Sequence, residues 1–125
     1  MAEGRRLLAV DDDEHILSIV SDVARGLGFE VSTLSESARF MTAYVRSRPH
    51  VITLDMMMPD MDGIEIIRWL SDIGSTARVV IISGHSTFLS LGGRLAEARG
   101  ALSTTLVRKP FAIADLRATL MAAQA

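Results

Sequence analysis

Acidic residues follow two of the short apolar runs in this sequence. Asp11 and Asp12 come directly after the run that ends at Val10, and Asp55 comes directly after the run that ends at Leu54. Carboxylates that meet at close range raise one another's pKa and are unfavourable without a compensating cation. Mg²⁺ prefers oxygen ligands and is commonly held by one or two carboxylates together with water and phosphate. The pattern predicts a magnesium site if these two runs are neighbouring strands.

A hydroxyl group and an ammonium group follow two further runs. Ser83 comes after the run at residues 79–82, and Lys109 comes after a weaker run at residues 104–107. Each has an ordinary explanation by itself, because a serine after a strand is commonly a turn residue and a single lysine is commonly a solvated charge. Together with the carboxylates they predict phosphoryl transfer, in which catalysis consists mainly of positioning and charge neutralisation.

The acidic cluster has a second explanation as a helix cap. Acidic side chains are favoured at helix N-termini by the unpaired backbone N–H groups and the helix dipole. Asp13 and Glu14 are expected to act in this way. For Asp11 and Asp12, residue type alone leaves capping and metal binding equally open.

Five apolar runs alternate with five stretches of helical periodicity. The runs at 7–10, 51–54 and 79–82 are nearly continuous, which is typical of parallel strands covered on both faces, whereas those at 29–34 and 104–107 indicate edge strands. The predicted helical stripes are Ile16, Val20, Val23, Ala24 and Leu27; Ala38, Met41 and Val45; Ile66, Trp69, Leu70 and Ile73; Phe88, Leu91, Leu95 and Ala98; and Ile113, Leu116, Leu120 and Met121.

This order of strands and helices predicts an α/β fold with a doubly wound, five-stranded parallel sheet in the flavodoxin-like strand order 2-1-3-4-5. Such sheets bind ligands beyond the carboxyl ends of their strands, where the acidic residues fall.

Composition restricts the class of protein. The 125 residues suit one domain, 49% of them are hydrophobic, the net charge is -2, and cysteine is absent. These values argue against a nucleic-acid footprint, a disulfide framework and a thiolate metal site. No apolar stretch approaches the roughly 18 residues of a membrane span. We expect one cytoplasmic domain over residues 1–125 that binds neither nucleic acid nor membrane directly. The alternative that this domain is the N-terminal part of a longer protein stays open.

Four segments resemble the motifs of receiver domains in two-component response regulators, including chemotaxis-regulator-like receivers. They are VDDDE at residues 10–14, LDMMMPDMDG at 54–63, IISG at 81–84 and VRKPF at 107–111. The stretch D-x-x-M-P-x-M-D-G followed by K-P-F is highly specific. The resemblance extends roughly from Arg5 to Met121, which is nearly the whole chain.

The resemblance implies a phosphoacceptor and a metal site. Asp55 would take a phosphoryl group from a histidine kinase or a histidine phosphotransfer protein. Mg²⁺ would be bound by Asp11, Asp12, Asp55 and the backbone carbonyl of Met57. The chain would be a signalling switch that assists its own phosphorylation and dephosphorylation, not a turnover enzyme on a separate substrate.

The resemblance also implies which residues respond to the phosphoryl group. Lys109 would pair with its oxygens, and Ser83 would donate a hydrogen bond to one of them. The side chains of Met57 and His85 would flank the group and modulate its hydrolysis. The output partner or fused effector domain is not indicated by the sequence, and a homodimer stays open.

Two features depart from the family pattern. Leu106 stands three residues before Lys109, where receivers commonly have an aromatic residue. The segment between Ser83 and Lys109 is longer than usual by about one helical turn. The inward movement of an aromatic ring on activation cannot occur here in its usual form. The lengthened segment belongs to the face on which receivers usually recognise partners, so output specificity is hard to transfer from the family.

Three rival functions are less consistent with the residues. A haloacid-dehalogenase-like phosphatase needs a second acid two residues after its nucleophile, where this chain has Met57. A flavodoxin-like FMN carrier needs a hydroxyl- and glycine-rich phosphate loop after its first strand, where this chain has three aspartates. A receiver that signals without phosphate would not need the complete set of Asp12, Asp55, Ser83 and Lys109.

Overall fold

A five-stranded parallel sheet forms the centre of the molecule. The computed structural model describes residues 5–58, 61–84 and 94–124, and at 57–58 and 61–62 the description covers the backbone alone. The strands are β1 (Arg6–Val10), β2 (Glu30–Leu34), β3 (Val51–Asp55), β4 (Arg78–Gly84) and β5 (Thr104–Lys109). All neighbouring strands are parallel, and their order is β2-β1-β3-β4-β5. The predicted fold class and strand order are confirmed.

Helices cover both faces of the sheet. They are α1 (Glu14–Gly26), α2 (Phe40–Ser47), α3 (Gly63–Asp72), α4 (helical residues 94–99) and α5 (Ile113–Gln124), and a short 3-10 turn at Ser37–Arg39 precedes α2. Among the described helices, none is both long and apolar enough to cross a bilayer. Three residues predicted for the fourth helix, Ser86, Phe88 and Leu91, lie outside the described residues.

Alternating side chains of the central strands build two apolar cores. Leu8 and Ile52 belong to the core beneath α2 and α3. Leu7 and Val51 belong to the other core, beneath α1 and α5. Every residue of β3 is buried. This double coverage explains why the central runs are apolar without alternation, as expected for parallel strands.

The buried face of α2 is not the predicted one, which consists of Ala38, Met41 and Val45. All three are exposed, and 65% of Val45 is accessible to solvent. Phe40 and Tyr44 face the core instead, with the Trp69 ring edge-on to each at centroid distances of 6.0 and 5.4 Å. Aromatic rings bury more apolar area than Met or Val and gain from edge-to-face contact. They therefore set the rotation of the helix, and the predicted stripe is wrong.

Smaller errors occur at helix ends. Ile73 lies beyond the last residue of α3 and is exposed, and Ile113 and Met121 on α5 are exposed although they were predicted as core. Leu116 and Leu120 of α5 are fully buried as predicted. Only the part of each helix that lies over the sheet has a partner surface, so periodicity overestimates burial at the ends.

Gly63 begins α3 in close contact with the residue that follows β3. A Cβ atom at position 63 would lie 2.8 Å from Met56 Sδ and 2.9 Å from Met56 Cα. Met56 is buried in the α2–α3 core and cannot move freely. The glycine in the motif at 54–63 thus lets the start of α3 pack directly beneath the end of β3. The backbone between them is closed by a short antiparallel pairing of Met57–Met58 with Met61–Asp62.

Gly63→Ala tests this packing. Because the added methyl group overlaps buried backbone, we expect the free energy of unfolding to fall by about 1–3 kcal/mol in urea denaturation. Gly26→Ala is the matched control, since the nearest atom to a Cβ there is Arg117 Nη1 at 3.9 Å. In a helix, alanine is favoured over glycine by about 1 kcal/mol, so the control should be neutral or stabilising. Equal stability of the two variants would contradict the role of this contact.

Candidate functional site

Three carboxylates lie together at the carboxyl ends of β1 and β3. Val10 and Leu54 are register partners in the two strands, so the residues that follow them are neighbours. One oxygen from each of Asp11, Asp12 and Asp55 lies within 4.8 Å of the others. Asp11 and Asp55 are buried, whereas Asp12 is exposed. The site therefore has two inner carboxylates and an outer one that faces solvent.

A single ammonium group bridges the inner carboxylates. Lys109, the last residue of β5, donates from Nζ to Asp11 Oδ2 at 3.1 Å, and Nζ lies 3.7 Å from Asp55 Oδ2. The sequence placed Lys109 at this rim, but it did not indicate that Asp11 is its nearer partner. The contact could have been anticipated only from the distance between β1 and β5, which are not neighbours in the sheet.

Backbone hydrogen bonds decide which aspartate caps α1. The N-cap is Asp13, whose Oδ1 accepts from the backbone N–H groups of His15 and Ile16 at 2.9 and 3.4 Å. Asp11 Oδ1 instead accepts from the backbone N–H of Asp13 at 2.9 Å, which aims its second oxygen at Lys109. Capping by Asp13 is confirmed. Asp11 does not cap the helix, because its two oxygens accept from the Asp13 backbone and from Lys109.

The buried position of Asp11 is electrostatically unfavourable. Burial, together with the charge of Asp55, raises the pKa of Asp11 from 3.8 to about 6. The Asp13 backbone N–H and the Lys109 ammonium lower this pKa, but they do not cancel the effect of burial. Two inner carboxylates with one ammonium thus leave negative charge that an added cation would stabilise.

Ser83 is buried at the same edge of the sheet as this cluster. Asp55 pairs in register with Ile82, so Ser83 follows on β4 at the same edge of the sheet. Only 1% of Ser83 is exposed, and among the described residues its Oγ has no hydrogen-bond partner. A buried unpaired hydroxyl costs roughly 1–3 kcal/mol. It therefore indicates a place where a ligand oxygen could bind.

The structure gives less information on Met57 and His85, the two residues predicted to modulate hydrolysis. The backbone of Met57 follows Asp55 by two residues and pairs with Asp62. His85 lies outside the described residues. The structure therefore gathers Asp11, Asp12, Asp55, Ser83 and Lys109 at one edge of the sheet, whereas the predicted roles of Met57 and His85 stay predictions.

The donor set suits a hard divalent cation and a phosphoryl group. The acidic cluster offers only oxygen ligands, and its excess negative charge needs a cation. The unpaired Ser83 hydroxyl and the Lys109 ammonium are donors for anionic oxygens. The chain has no cysteine, and within the described ranges the cluster includes no imidazole.

Comparison with known proteins identifies the family. The family model described as the response regulator receiver domain matches residues 7–121. The chain belongs to the response-regulator receiver domain family. The transcriptional regulatory protein PrrA of Mycobacterium tuberculosis is 33% identical to this receiver domain over 117 residues, which cover 94% of this chain and 48% of PrrA. The receiver domain therefore spans about half the length of PrrA.

Solved structures support the same conclusion. The response regulator DrrB of Thermotoga maritima is 30% identical, with a TM-score of 0.79 over 94% of this chain and 51% of DrrB. The BeF3-activated receiver domain of DrrB is 27% identical, with a TM-score of 0.78 and 97% of each chain covered. A CheY-like receiver domain of Methanospirillum hungatei has a TM-score of 0.84 at 20% identity, covers 96% of this chain and 93% of its own, and supports the fold alone.

Family membership establishes the general function. This receiver domain is a phosphoacceptor module of two-component signalling, and its family implies partnership with a histidine kinase. It is a signalling protein, and its cluster of Asp11, Asp12 and Asp55 has the donors to bind a metal ion. The predicted family and phosphoacceptor function are confirmed.

Asp11→Asn tests the electrostatic cost of the site in metal-free protein. A raised pKa means that the folded protein binds a proton more tightly than the unfolded chain, so the contribution of Asp11 is favourable below about pH 4 and is lost as pH rises to about 6. Asparagine has a similar shape and cannot ionise. We expect it to raise the free energy of unfolding by about 1–3 kcal/mol above pH 7. The gain should disappear near pH 4 in denaturation measured with chelator present.

Asp22→Asn is the matched control for that titration. Asp22 lies exposed on α1, so its replacement should change stability little. Adding Mg²⁺ should stabilise the wild type more than Asp11→Asn, because the metal compensates the charge that the variant has removed. Parallel stability profiles for Asp11→Asn and the wild type would contradict the electrostatic explanation.

Proposed function

We propose that Asp55 is the phosphoacceptor of this receiver domain. The observation that carries the proposal is its position: a buried carboxylate at the end of β3, with Lys109 Nζ at 3.7 Å and the unpaired Ser83 hydroxyl at the same edge. A carboxylate oxygen of Asp55 attacks the phosphorus of a phosphohistidine. The new O–P bond forms as the N–P bond to the donor breaks, and the phosphoryl group moves to Asp55.

Mg²⁺ is the proposed cofactor. Asp11, Asp12 and Asp55 would hold it together with the backbone carbonyl of Met57. When bound, it would supply positive charge that stabilises the transferred phosphoryl group. The buried Asp11, whose pKa burial raises, supports this assignment because a divalent cation would compensate the cluster. Asp12 is the exposed member and gives the cluster its contact with solvent.

Lys109 and Ser83 are the proposed phosphoryl-binding and switch residues. Phosphorylation adds a charge of about -1.5 to -2 and three acceptor oxygens. The ammonium of Lys109 would exchange its contact with Asp11 for one with a phosphoryl oxygen, and Ser83 would donate its free hydroxyl to another. Both residues lie at the carboxyl ends of strands, so their movement would shift the population of conformations at β4 and β5.

The remaining assignments rest on family membership. Met57 and His85 are the proposed rim residues that modulate hydrolysis of the phosphoryl group. A histidine kinase or histidine phosphotransfer protein is the proposed donor, in the cytoplasm. We treat residues 1–125 as one receiver domain that switches an output partner or fused effector domain and does not bind nucleic acid directly. We propose that the domain does not turn over a separate substrate.

Incubation with acetyl phosphate and Mg²⁺ tests the acceptor. Intact mass spectrometry should show one added phosphoryl group on the wild type and none on Asp55→Asn, because an amide is a poor nucleophile. Asp72→Asn, an exposed aspartate at the end of α3, is the control that should still be phosphorylated. A similar yield in Asp55→Asn and the wild type would refute the assignment.

Lys109→Ala tests the switch separately from the acceptor. The variant should still accept some phosphoryl group, but amide chemical shifts along β5 should respond much less to phosphorylation, because the cation that follows the added charge is gone. Arg108→Ala removes a neighbouring exposed cation from the same strand and should keep the wild-type response. An unaltered response of β5 in Lys109→Ala, measured by NMR, would count against the switch role.

A further inference from the structure

Asp13 completes a run of three aspartates but has no role in the proposed function. Its side chain is exposed, and its carboxylate is not a member of the cluster formed by Asp11, Asp12 and Asp55. Oδ1 of Asp13 caps α1 by accepting from two backbone N–H groups of the first turn. A cap by itself stabilises the helix and has no effect on a neighbouring site.

The backbone of Asp13 makes a direct contact with the cluster. Its N–H donates to Asp11 Oδ1 at 2.9 Å, which closes a turn of the kind that aspartate side chains form two residues along the chain. Asp13 then closes the next turn with its own side chain, which accepts from the backbone N–H of His15. The φ angle of Asp13, -91°, fixes the direction of the N–H relative to the side chain. The cap and the contact with Asp11 therefore constrain one another.

Three hydrogen bonds hold Asp11 in place. Its backbone N–H donates to the Leu34 carbonyl at the end of β2 at 3.1 Å, which fixes the main chain. Oδ1 accepts from the Asp13 N–H at 2.9 Å, and Oδ2 accepts from Lys109 Nζ at 3.1 Å. The two oxygens belong to one planar group, so the bond to Oδ1 determines where Oδ2 meets the ammonium of Lys109.

We propose that Asp13 is a positioning residue for the phosphoacceptor site. Its cap on α1 holds the turn that orients the Asp11 carboxylate toward Lys109. Asp12 lies between the two residues, so the same turn carries the solvent-facing member of the cluster. Loss of the cap would disturb two of the three carboxylates without removing either. The inference rests on the proposed function of the site, because it assigns to Asp13 the support of residues that would bind metal and the phosphoryl group.

Two substitutions at position 13 separate the cap from the charge. Asparagine caps helices about as well as aspartate does, so Asp13→Asn keeps the turn and removes one negative charge. Asp13→Ala removes the cap together with the charge and leaves the backbone N–H without the constraint that aims it. If the cap positions Asp11, the alanine variant should disturb the site and the asparagine variant should preserve it.

Lys109 provides a readout that needs neither metal nor a phosphoryl donor. It is the only lysine in the sequence, so labelling with an amine-reactive ester, followed by peptide mass mapping, reports on its contact with Asp11. With chelator present, we expect Asp13→Ala to raise the labelling rate of Lys109 about threefold, because the ammonium is less firmly held. Asp13→Asn should keep the wild-type rate within about twofold, since the charge it removes is exposed.

The dependence of phosphorylation on Mg²⁺ provides a second readout. With acetyl phosphate as donor, the Mg²⁺ concentration that gives half the maximal rate should rise about fivefold in Asp13→Ala and less than about twofold in Asp13→Asn. Glu14→Gln is the control for charge, because Glu14 is exposed next to Asp13. Tyr44→Phe is the control for lost stability, because it removes a remote hydroxyl that is hydrogen-bonded to Ser75 Oγ at 2.6 Å. Both controls should behave as the wild type does.

The outcomes distinguish the role of Asp13 from the proposed function. Equal labelling rates and equal Mg²⁺ dependence in Asp13→Ala and Asp13→Asn would overturn the inference. A matching change in Tyr44→Phe would also overturn it, because the effect would then follow from lost stability alone. A wild type that acetyl phosphate does not phosphorylate would refute the proposed function, whereas the labelling rates of metal-free protein would still decide whether Asp13 positions Asp11.

Discussion

The concentration of negative charge at the carboxyl edge of the sheet is the constraint on which the site depends. A parallel sheet brings the carboxyl ends of β1 and β3 together, where Asp11 follows β1 and Asp55 is the last residue of β3. Asp11 and Asp55 are buried there with one ammonium group, which cannot balance the cluster. Burial accordingly raises the pKa of Asp11. The domain thus carries an electrostatic cost that a bound cation would compensate, which suits a site that must respond to its ligands.

A rigid support surrounds this unfavourable cluster. β3 is buried along its whole length, and Gly63 packs α3 against Met56 so closely that no side chain fits between them. The Asp55 carboxylate at the end of β3 is therefore held in place. Ser83 differs, since its buried hydroxyl has no partner among the described residues. A fixed carboxylate beside an unsatisfied donor suits the proposed switch, in which Asp55 would form the O–P bond in place and Ser83 would gain a hydrogen bond to the phosphoryl group.

The aromatic residues between α2 and α3 determine which side chains of α2 are buried. On the α2–α3 side, the Phe40, Tyr44 and Trp69 rings fill the core and rotate α2 so that its smaller apolar residues face solvent. The packing that stabilises the core thus also leaves Met41 and Val45 exposed. The Leu34 carbonyl accepts a hydrogen bond from the Asp11 backbone N–H, which joins the end of β2 to the carboxylate cluster.

The sequence by itself determined the order of elements, the strand order and the gathering of Asp11, Asp12, Asp55, Ser83 and Lys109 at one edge. These follow from local periodicity and from the rule that ligands bind at the carboxyl ends of parallel strands. The loop motif at 54–63 and the K-P-F segment also identified the family before any contact was known.

Tertiary structure alone decided the rotation of α2, the partner of Lys109 and the division of the aspartates into buried and exposed members. Ala38, Met41 and Val45 fit a helical stripe as well as Phe40 and Tyr44 do, and only competition for space against Trp69 separates the two choices. Lys109 and Asp11 stand 98 residues apart on strands that are not neighbours. Periodicity and motifs describe which residues reach the same edge, but distances between side chains arise from packing of the whole chain.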